Sequence, residues 1–316
     1  MGDKTHRTDQ AIRGAIRMNT LPKIGMLYGG WSSEAEVSKA SAAFCTIAAR
    51  EYGYEVVEIE LNRNLSESLK HHKIDVVFNA LHGQVGEDGS VQGLLNILDI
   101  PYTHSGVTAS AIAMDKVLSG KLFETAGIQI PPRLSLDETD IVTPKNYHGS
   151  YVIKPRNDGS SVGVEIVLDG RICSRGLWDS KCQLIAEQYI AGRELTVSVL
   201  NGKALCVTEI VSNTEFYNYT AKYKAGGSHH IIPADIPEKC TQIAMDWSEA
   251  AFNLLGCRGV ARADFRWNEA NESLYMLEIN TQPGMTKTSL VPEQASFCNI
   301  QMHSLINLLV EVAQCD

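Results

Sequence analysis

The sequence predicts an α/β protein, with a parallel-sheet unit at its N-terminal end and further strands and helices after it. Three observations lead there. Short apolar strands alternate with helical stretches from Lys23 to Tyr102, as in βαβ units. After Tyr151, short strands recur in pairs around turns, at 151–167, 184–200 and 261–279. Finally, 316 residues at 44% hydrophobic and 21% charged suit a folded chain of about two or three domains.

Lys23 to Tyr28 (KIGMLY) is a short apolar strand that runs into Gly29-Gly30. Ser32, Glu34 and Glu36 then read as the N-terminus of a helix over 37–52. An alternating strand at 55–61, a short helix at 65–72 and an apolar strand at 75–80 follow, the last ending in Leu81-His82-Gly83. A helix over 91–98 and a brief strand at 100–102 complete the unit. In parallel sheets ligands lie beyond the carboxyl ends of the strands. Gly29-Gly30, Glu34 and His82 all fall there. His82 suits either a substrate contact or a satisfied polar residue.

A helix is expected over 115–126, closed by Gly127 and Pro131-Pro132, with the first domain boundary near Asp115. Residues 137–150 are polar and read as surface. Strands at 151–154 and 164–167 enclose Gly159-Ser160-Ser161-Val162-Gly163. Glycines admit a close backbone approach and hydroxyls add donors, which suits a flap over phosphates. The segment matches neither the Walker pattern nor G-x-G-x-x-G, and a plain hairpin turn has the same composition. Lys154 beside the flap, and Lys116 at the helix start, are candidates for phosphate contact, although a lone lysine is ordinarily a solvated charge. Glu187 and Glu194 flank Ala191-Gly192. They are placed either for an adenine and a ribose hydroxyl or as exposed strand-end acids. After a strand at 203–211, residues 212–230 are long and polar, with Tyr217, Tyr219, Tyr223, Lys222 and Lys224. Loops of that length are ordinarily functional or disordered. A helix over 238–255 and a final one over 302–313 frame the last hairpin.

In that hairpin, strands 261–267 and 274–279 surround a polar turn. Residues two apart share a strand face. This groups Arg262, Asp264 and Arg266 on one strand, and Glu278 with Asn280 on the other. Symmetric pairing would put Asp264 near Glu278. Two carboxylates and a carboxamide suit Mg²⁺ held together with substrate phosphates. A solvated, salt-bridged face has the same pattern.

A net charge of −9 and a pI near 5.5 leave no general footprint for nucleic acid or anionic membrane. No apolar run approaches the roughly 18 residues needed to span a bilayer. The eight cysteines show no C-x-x-C spacing and the histidines share no metal spacing. Free buried thiols in a reducing cytosol are expected. Residues 1–20 lack the apolar core of a signal peptide and read as a mobile leader, with Met18 as an alternative start.

Seven segments in order resemble the D-alanine–D-alanine ligase family of the ATP-grasp superfamily. They are GGWSSEAEVS (29–38), ALHGQVGEDGSVQG (80–93), SGVTASAIAMDK (105–116), VIKPRNDGSSVGV (152–164), EFYNYTAKY (215–223), GVARADFRW (259–267) and LEINTQPGMTKTSLVP (277–292). The resemblance implies a parallel-sheet N-terminal domain over 21–115, then an ATP-grasp fold of two α+β domains over 116–193 and 194–316. It implies ligation of two D-alanines through an acyl phosphate, with ATP as substrate, for peptidoglycan precursors. Asp264, Glu278 and Asn280 would hold two Mg²⁺ ions, with Mn²⁺ as an alternative. Lys116, Lys154, Gly159, Ser160, Ser161 and Lys222 would contact ATP phosphates, and Glu187 and Glu194 its adenine and ribose. Glu34 and His82 would place the first D-alanine. Arg262 and the Gly284 N–H would stabilise the oxyanion, and Ser289 with the Leu290 N–H would hold the second carboxylate. Tyr223, Ser160 and Glu34 would meet across domains under a lid of residues 212–230. Relatives that make D-alanyl-D-lactate carry a His where Tyr223 stands, so the dipeptide is expected here. A cytoplasmic homodimer is also implied, with no nucleic acid or membrane partner. Trp31 departs from the small or polar residue expected after the double glycine. A different ATP-grasp ligase and a non-enzymatic nucleotide-binding scaffold are the alternative readings.

Overall fold

The computed structural model describes residues 21–138, 141–159, 162–168, 173–212 and 228–316. β1 (Ile24–Tyr28) is the middle of a parallel sheet, between β2 (Val56–Glu60) and β3 (Val76–Asn79). β3 is buried throughout because both faces of this sheet are covered, which is why it reads as a continuous apolar run. α2 (Leu65–His72) and α3 (Ser90–Leu98) cover one face through Leu65, Leu69, Val91 and Leu95. On the other face α1 (Ala35–Tyr52) packs through Ala42 and Cys45. The strand expected at 100–102 reduces to a single parallel bridge, Val77 to Tyr102.

The helix expected from Asp115 is one of two. α4 (Val107–Met114) and α5 (Lys116–Thr125) meet at Asp115, whose extended backbone interrupts the helix. Its Oδ1 accepts the N–H groups of Val117 (2.9 Å) and Leu118 (3.1 Å), capping α5. α4 (VTASAIAM) spreads small and apolar residues over all its faces with no polar stripe, so periodicity gives it no signature.

The middle of the chain forms a sheet ordered β4 (Arg133–Leu134), β10 (Leu184–Gln188), β7 (Tyr151–Pro155), β8 (Glu165–Val167), with all pairs antiparallel. Residues 137–150, expected as surface, instead supply part of β5 (Leu136–Glu138) and all of β6 (Ile141–Pro144). These pair in a small sheet with β9 (Cys173–Ser174). Val142 is fully buried against this region's core. The short β-branched run there is outweighed in sequence by the polar residues around it.

The last sheet is ordered β13 (Ser228–Ile231), β12 (Lys203–Ser212), β11 (Arg193–Leu200), β14 (Val260–Asn268), β15 (Ser273–Asn280). α6 (Glu238–Leu255) covers one face, setting Ala244, Ala251 and Phe252 on Leu195, Val197, Phe265 and Met276. α4 and α5 join this core through Ala109, Ala113 and Phe123. α7 (Leu290–Phe297) was not expected, since Pro292 in its first turn resembles a breaker although proline is tolerated there. α8 (Met302–Glu311) returns to the N-terminal sheet, where Leu305, Ile306 and Leu309 pack with Ile24, Met26 and Phe78. All eight cysteines are free. Burial lifts the Cys206 and Cys257 thiols to about 12. Among the described residues no helix is long and apolar enough to cross a membrane.

Candidate active site

The corner beyond β1 and β3 is stitched by hydroxyls. Ser38 Oγ accepts the Gly29 N–H (2.9 Å) and donates to the Ala80 carbonyl (2.7 Å). Ser32 Oγ donates to the His82 carbonyl (2.8 Å) and accepts the Glu34 N–H (3.2 Å). Ser32 therefore braces the loop instead of capping α1. Glu34 is 5% exposed, and its carboxylate lies over Gly83. A Cβ on Gly83 would stand 2.9 Å from Glu34 Oε2, on a backbone with φ +70°, so this corner requires glycine. Trp31 is turned outward with the Arg63 guanidinium 5.6 Å from its ring centroid.

His82 is buried, with Nδ1 3.0 Å from the Gln282 carbonyl and Nε2 3.1 Å from Ser41 Oγ. A carbonyl only accepts, so Nδ1 carries a proton. Glu87, which is also buried, lies 3.5 Å from the same nitrogen. Burial opposes charge on the ring. The Glu87 hydrogen bond and carboxylate, the Glu34 charge and the Gln282 carbonyl outweigh it, and the net direction for His82 is upward.

A cavity of about 490 Å³ lies between the middle and last sheets. Lys116, Lys154, Gly159, Glu187, Glu194, Asp264 and Glu278 line it. Lys154 Nζ meets Glu187 Oε2 at 2.6 Å, with Arg133 3.5 Å from the other oxygen. Lys116 Nζ lies 3.1 Å from Glu278 Oε2 and donates to the Asp158 carbonyl. Asp115 and Arg156 hold that lysine in place. The guanidinium Nη2 reaches Asp115 Oδ2 at 2.6 Å, and the Lys116 N–H donates to the Arg156 carbonyl. Burial works against the Asp115 charge, but the Arg156 fork and two backbone donors hold its carboxyl below the ordinary range. Ile190, Val152 and Leu277 add apolar wall to the cavity.

A second cavity, about 410 Å³, is lined by Glu34, His82, Arg262, Asn280, Gly284, Ser289 and Leu290. It shares Gly159, Glu194, Asp264 and Glu278 with the first. Asp264 pairs directly with Glu278 and Arg262 with Asn280 across the hairpin. Arg262 grips Asp264 with two bonds of 2.8 Å, and Thr196 Oγ1 adds a third at 2.7 Å. Ser289 precedes α7, so the first N–H groups of that helix, starting with Leu290, have no intrahelical partner. Its Oγ lies 2.7 Å from Thr286 Oγ1.

Ser160, Ser161, Lys222 and Tyr223, with the rest of 213–227, lie outside the described residues. Sequence reasoning did not single out Glu87, Arg133, Asp115, Arg156, Gln282 or Leu277. Glu87 follows a strand end, where the position rule for parallel sheets could have pointed to it. Leu277 reaches the cleft through a slip in register that no periodicity shows.

Lys154 comes from one antiparallel sheet and the carboxylate pair from another, so a ligand in this cleft is gripped between two sheets, as in the ATP-grasp class. A family model described as the C-terminus of D-ala D-ala ligase matches residues 122–311, and one for its N-terminus matches 60–105. D-alanine–D-alanine ligases from a Ruegeria species and from Rhodospirillum rubrum are each 47% identical over 300 residues. These alignments span 94% and 93% of this chain and 98% and 99% of the relatives. The solved structure of D-alanine–D-alanine ligase from Bacillus anthracis complexed with ATP superposes with a TM-score of 0.77 at 30% identity, covering 92% of this chain and 97% of that one. The chain belongs to the D-alanine–D-alanine ligase family.

Proposed function

We propose that this chain joins two D-alanine molecules into D-alanyl-D-alanine, converting ATP to ADP and phosphate, for peptidoglycan precursor synthesis. One observation carries the reading. The two cavities meet at Asp264 and Glu278, so a phosphoryl group delivered from one reaches a carboxylate held in the other.

In this reading Glu34 pairs with the ammonium of the first D-alanine and His82 helps place it. Glu187 and Glu194 take the adenine and ribose. Lys116, Lys154 and the flap of Gly159, Ser160 and Ser161 hold the phosphates, and Lys222 reaches the γ-phosphate. The D-alanine carboxylate oxygen attacks the γ-phosphorus and the bond to ADP breaks, leaving an acyl phosphate. The second D-alanine binds its carboxylate at Ser289 and the Leu290 N–H, at a helix N-terminus that favours anions. Its amine attacks the acyl carbon. Arg262 and the Gly284 N–H stabilise the oxyanion, and the carbon–oxygen bond to phosphate breaks.

The donors Asp264, Glu278 and Asn280 are hard oxygens on adjacent strands, a set that fits two Mg²⁺ ions, or Mn²⁺, better than a thiophilic metal. Arg262 and Lys116 stand against two of these donors, which marks the spot as one that attracts cations. These residues would hold the metal, which would supply charge neutralisation for the phosphoryl transfer. The role assigned to residues 212–230, with Tyr223 and Ser160 outside the described residues, is to keep water from the acyl phosphate. The enzyme works as a cytoplasmic homodimer with units over 21–115, 116–193 and 194–316.

The test is ADP release and dipeptide formation by the purified chain, with a panel of D- and L-amino acids. ADP release with D-alanine is expected. Release with another acid but not with D-alanine rejects the substrate assignment.

A further inference from the structure

Gln282 and Asn79 are each 1% exposed and stand 203 residues apart in the chain. Four polar groups of Gln282 are engaged, and they join Asn280, His82 and Asn79. Its N–H donates to Asn280 Oδ1 (2.8 Å), and its carbonyl accepts from His82 Nδ1 (3.0 Å). Its side-chain Oε1 accepts from Asn79 Nδ2 (3.0 Å), and Nε2 donates to the Asn79 carbonyl. Asn79 is held in turn. Its Oδ1 accepts the Leu81 N–H (3.1 Å), Nδ2 also reaches the Gly86 carbonyl (3.0 Å), and its own N–H donates to Thr103 Oγ1 (3.1 Å).

We propose that Gln282 is a positioning residue. Clipped to Asn79 at the end of β3, it holds His82, the Asn280 carboxamide and the turn to Gly284 in one fixed relation. The inference rests on the ligase reading above and adds to it a residue that touches no substrate. Its backbone sets two atoms directly. The carbonyl keeps the proton on His82 Nδ1 and turns Nε2 to Ser41. The N–H selects which end of the Asn280 amide is the oxygen. Two residues further on lies Gly284, so any shift of Gln282 moves the oxyanion donor. A side-chain amide is required because the clip both gives and takes a hydrogen bond in a dry place. An apolar side chain there takes the Gln282 donor from the Asn79 carbonyl and leaves Asn79 Nδ2 with only the Gly86 carbonyl.

The experiment compares steady-state kinetics and melting of the full chain with Gln282→Leu and Asn79→Ser. For Gln282→Leu, kcat falls about 10- to 100-fold, the effect of one or two buried polar groups left unpaired. KM for ATP changes less than kcat, because the clip reaches the nucleotide only through Asn280. Asn79→Ser takes the Nδ2 donor away from Gln282 Oε1 and leaves a hydroxyl near the Leu81 N–H, so the clip is loosened from its other end. There kcat falls by about tenfold, again with a smaller change in KM for ATP.

Parental kcat in Gln282→Leu or in Asn79→Ser, or an ATP KM that rises as much as kcat falls, overturns the proposal. If Gln282→Leu does not fold, Asn79→Ser decides alone. A parent that makes no dipeptide from D-alanine refutes the ligase reading. A working parent matched by both variants refutes only the positioning role.

Discussion

Asp264 stands directly across the hairpin from Glu278, and immediately beyond them the ladder slips, so that Phe265 faces Met276 and Leu277 is the extra residue. Such a bulge re-aims side chains at a site. Here it brings apolar Leu277 and acidic Glu278, adjacent in sequence, to the same cleft. Each acid has its own cation, Arg262 for Asp264 and Lys116 for Glu278.

Glu278→Gln keeps the shape of that pair and removes one charge. Turnover falls by more than roughly 100-fold while the fold is retained, if Glu278 is the metal ligand proposed above. ADP release, with Mg²⁺ titrated against nucleotide binding, is the measurement. Full activity would rule out the metal assignment.

The two faces of the hairpin region separate by substrate. Ser289→Ala raises KM for the second D-alanine about tenfold, the worth of one hydrogen bond to a charged group, and leaves KM for ATP nearly unchanged. Asp264→Asn does the reverse. Equal effects on both substrates in both variants would contradict this division.

Lys154 and Glu187 are a buried pair, with side chains 9% and 5% exposed. Lys154→Met strands the Glu187 charge, at a cost of about 2 kcal/mol. This is below the full penalty for an unpaired buried acid because Arg133 remains 3.5 Å away. Adding Glu187→Gln recovers most of that stability, whereas ATP affinity stays low. Urea unfolding of both variants, with nucleotide titration, separates the two effects. A double variant no more stable than the single would count against the stranded-charge account.

His104 supplies a pH signature. Burial first, then the His82 charge, pushes it down to about 3. At neutral pH and above neither state is protonated at this residue, and stability is intact. Below about pH 6.5 the unfolded chain binds a proton that the folded state refuses. Stability drops by about 2 kcal/mol by pH 5 and continues to fall toward pH 3. His104→Asn, which tolerates the backbone there (φ 69°), flattens this limb. Melting curves from pH 8 to 4 check it, and an unchanged slope would refute it.

Much of the fold was legible. β1, β2, β3, β7, β11, β12, β14, β15, α1, α2, α3 and α6 lie within a few residues of their expected positions, because each carries its own period or apolar run. α4 was missed because it has no polar stripe opposite an apolar one, α7 because Pro292 sits in its first turn, and β6 because a four-residue strand among polar neighbours gives a weak signal. The Asp264–Glu278 pairing followed from the alternation of two strands about a turn. The neighbouring bulge did not, since an extra residue leaves no mark in composition.

By itself the sequence determined which residue types stand two, three or four apart, and so which side chains share a face. From that came the acid pair and its neighbouring arginine, the Lys154 strand end, the glycine-rich flap and the family resemblance. Only the tertiary structure decided which distant segments touch. It brought Gly159 to Glu34, α8 back onto the N-terminal sheet, and Gln282 onto Asn79. Periodicity records neighbours along one element. Contacts between elements far apart in the chain depend on how whole faces pack, and on where buried polar groups find partners.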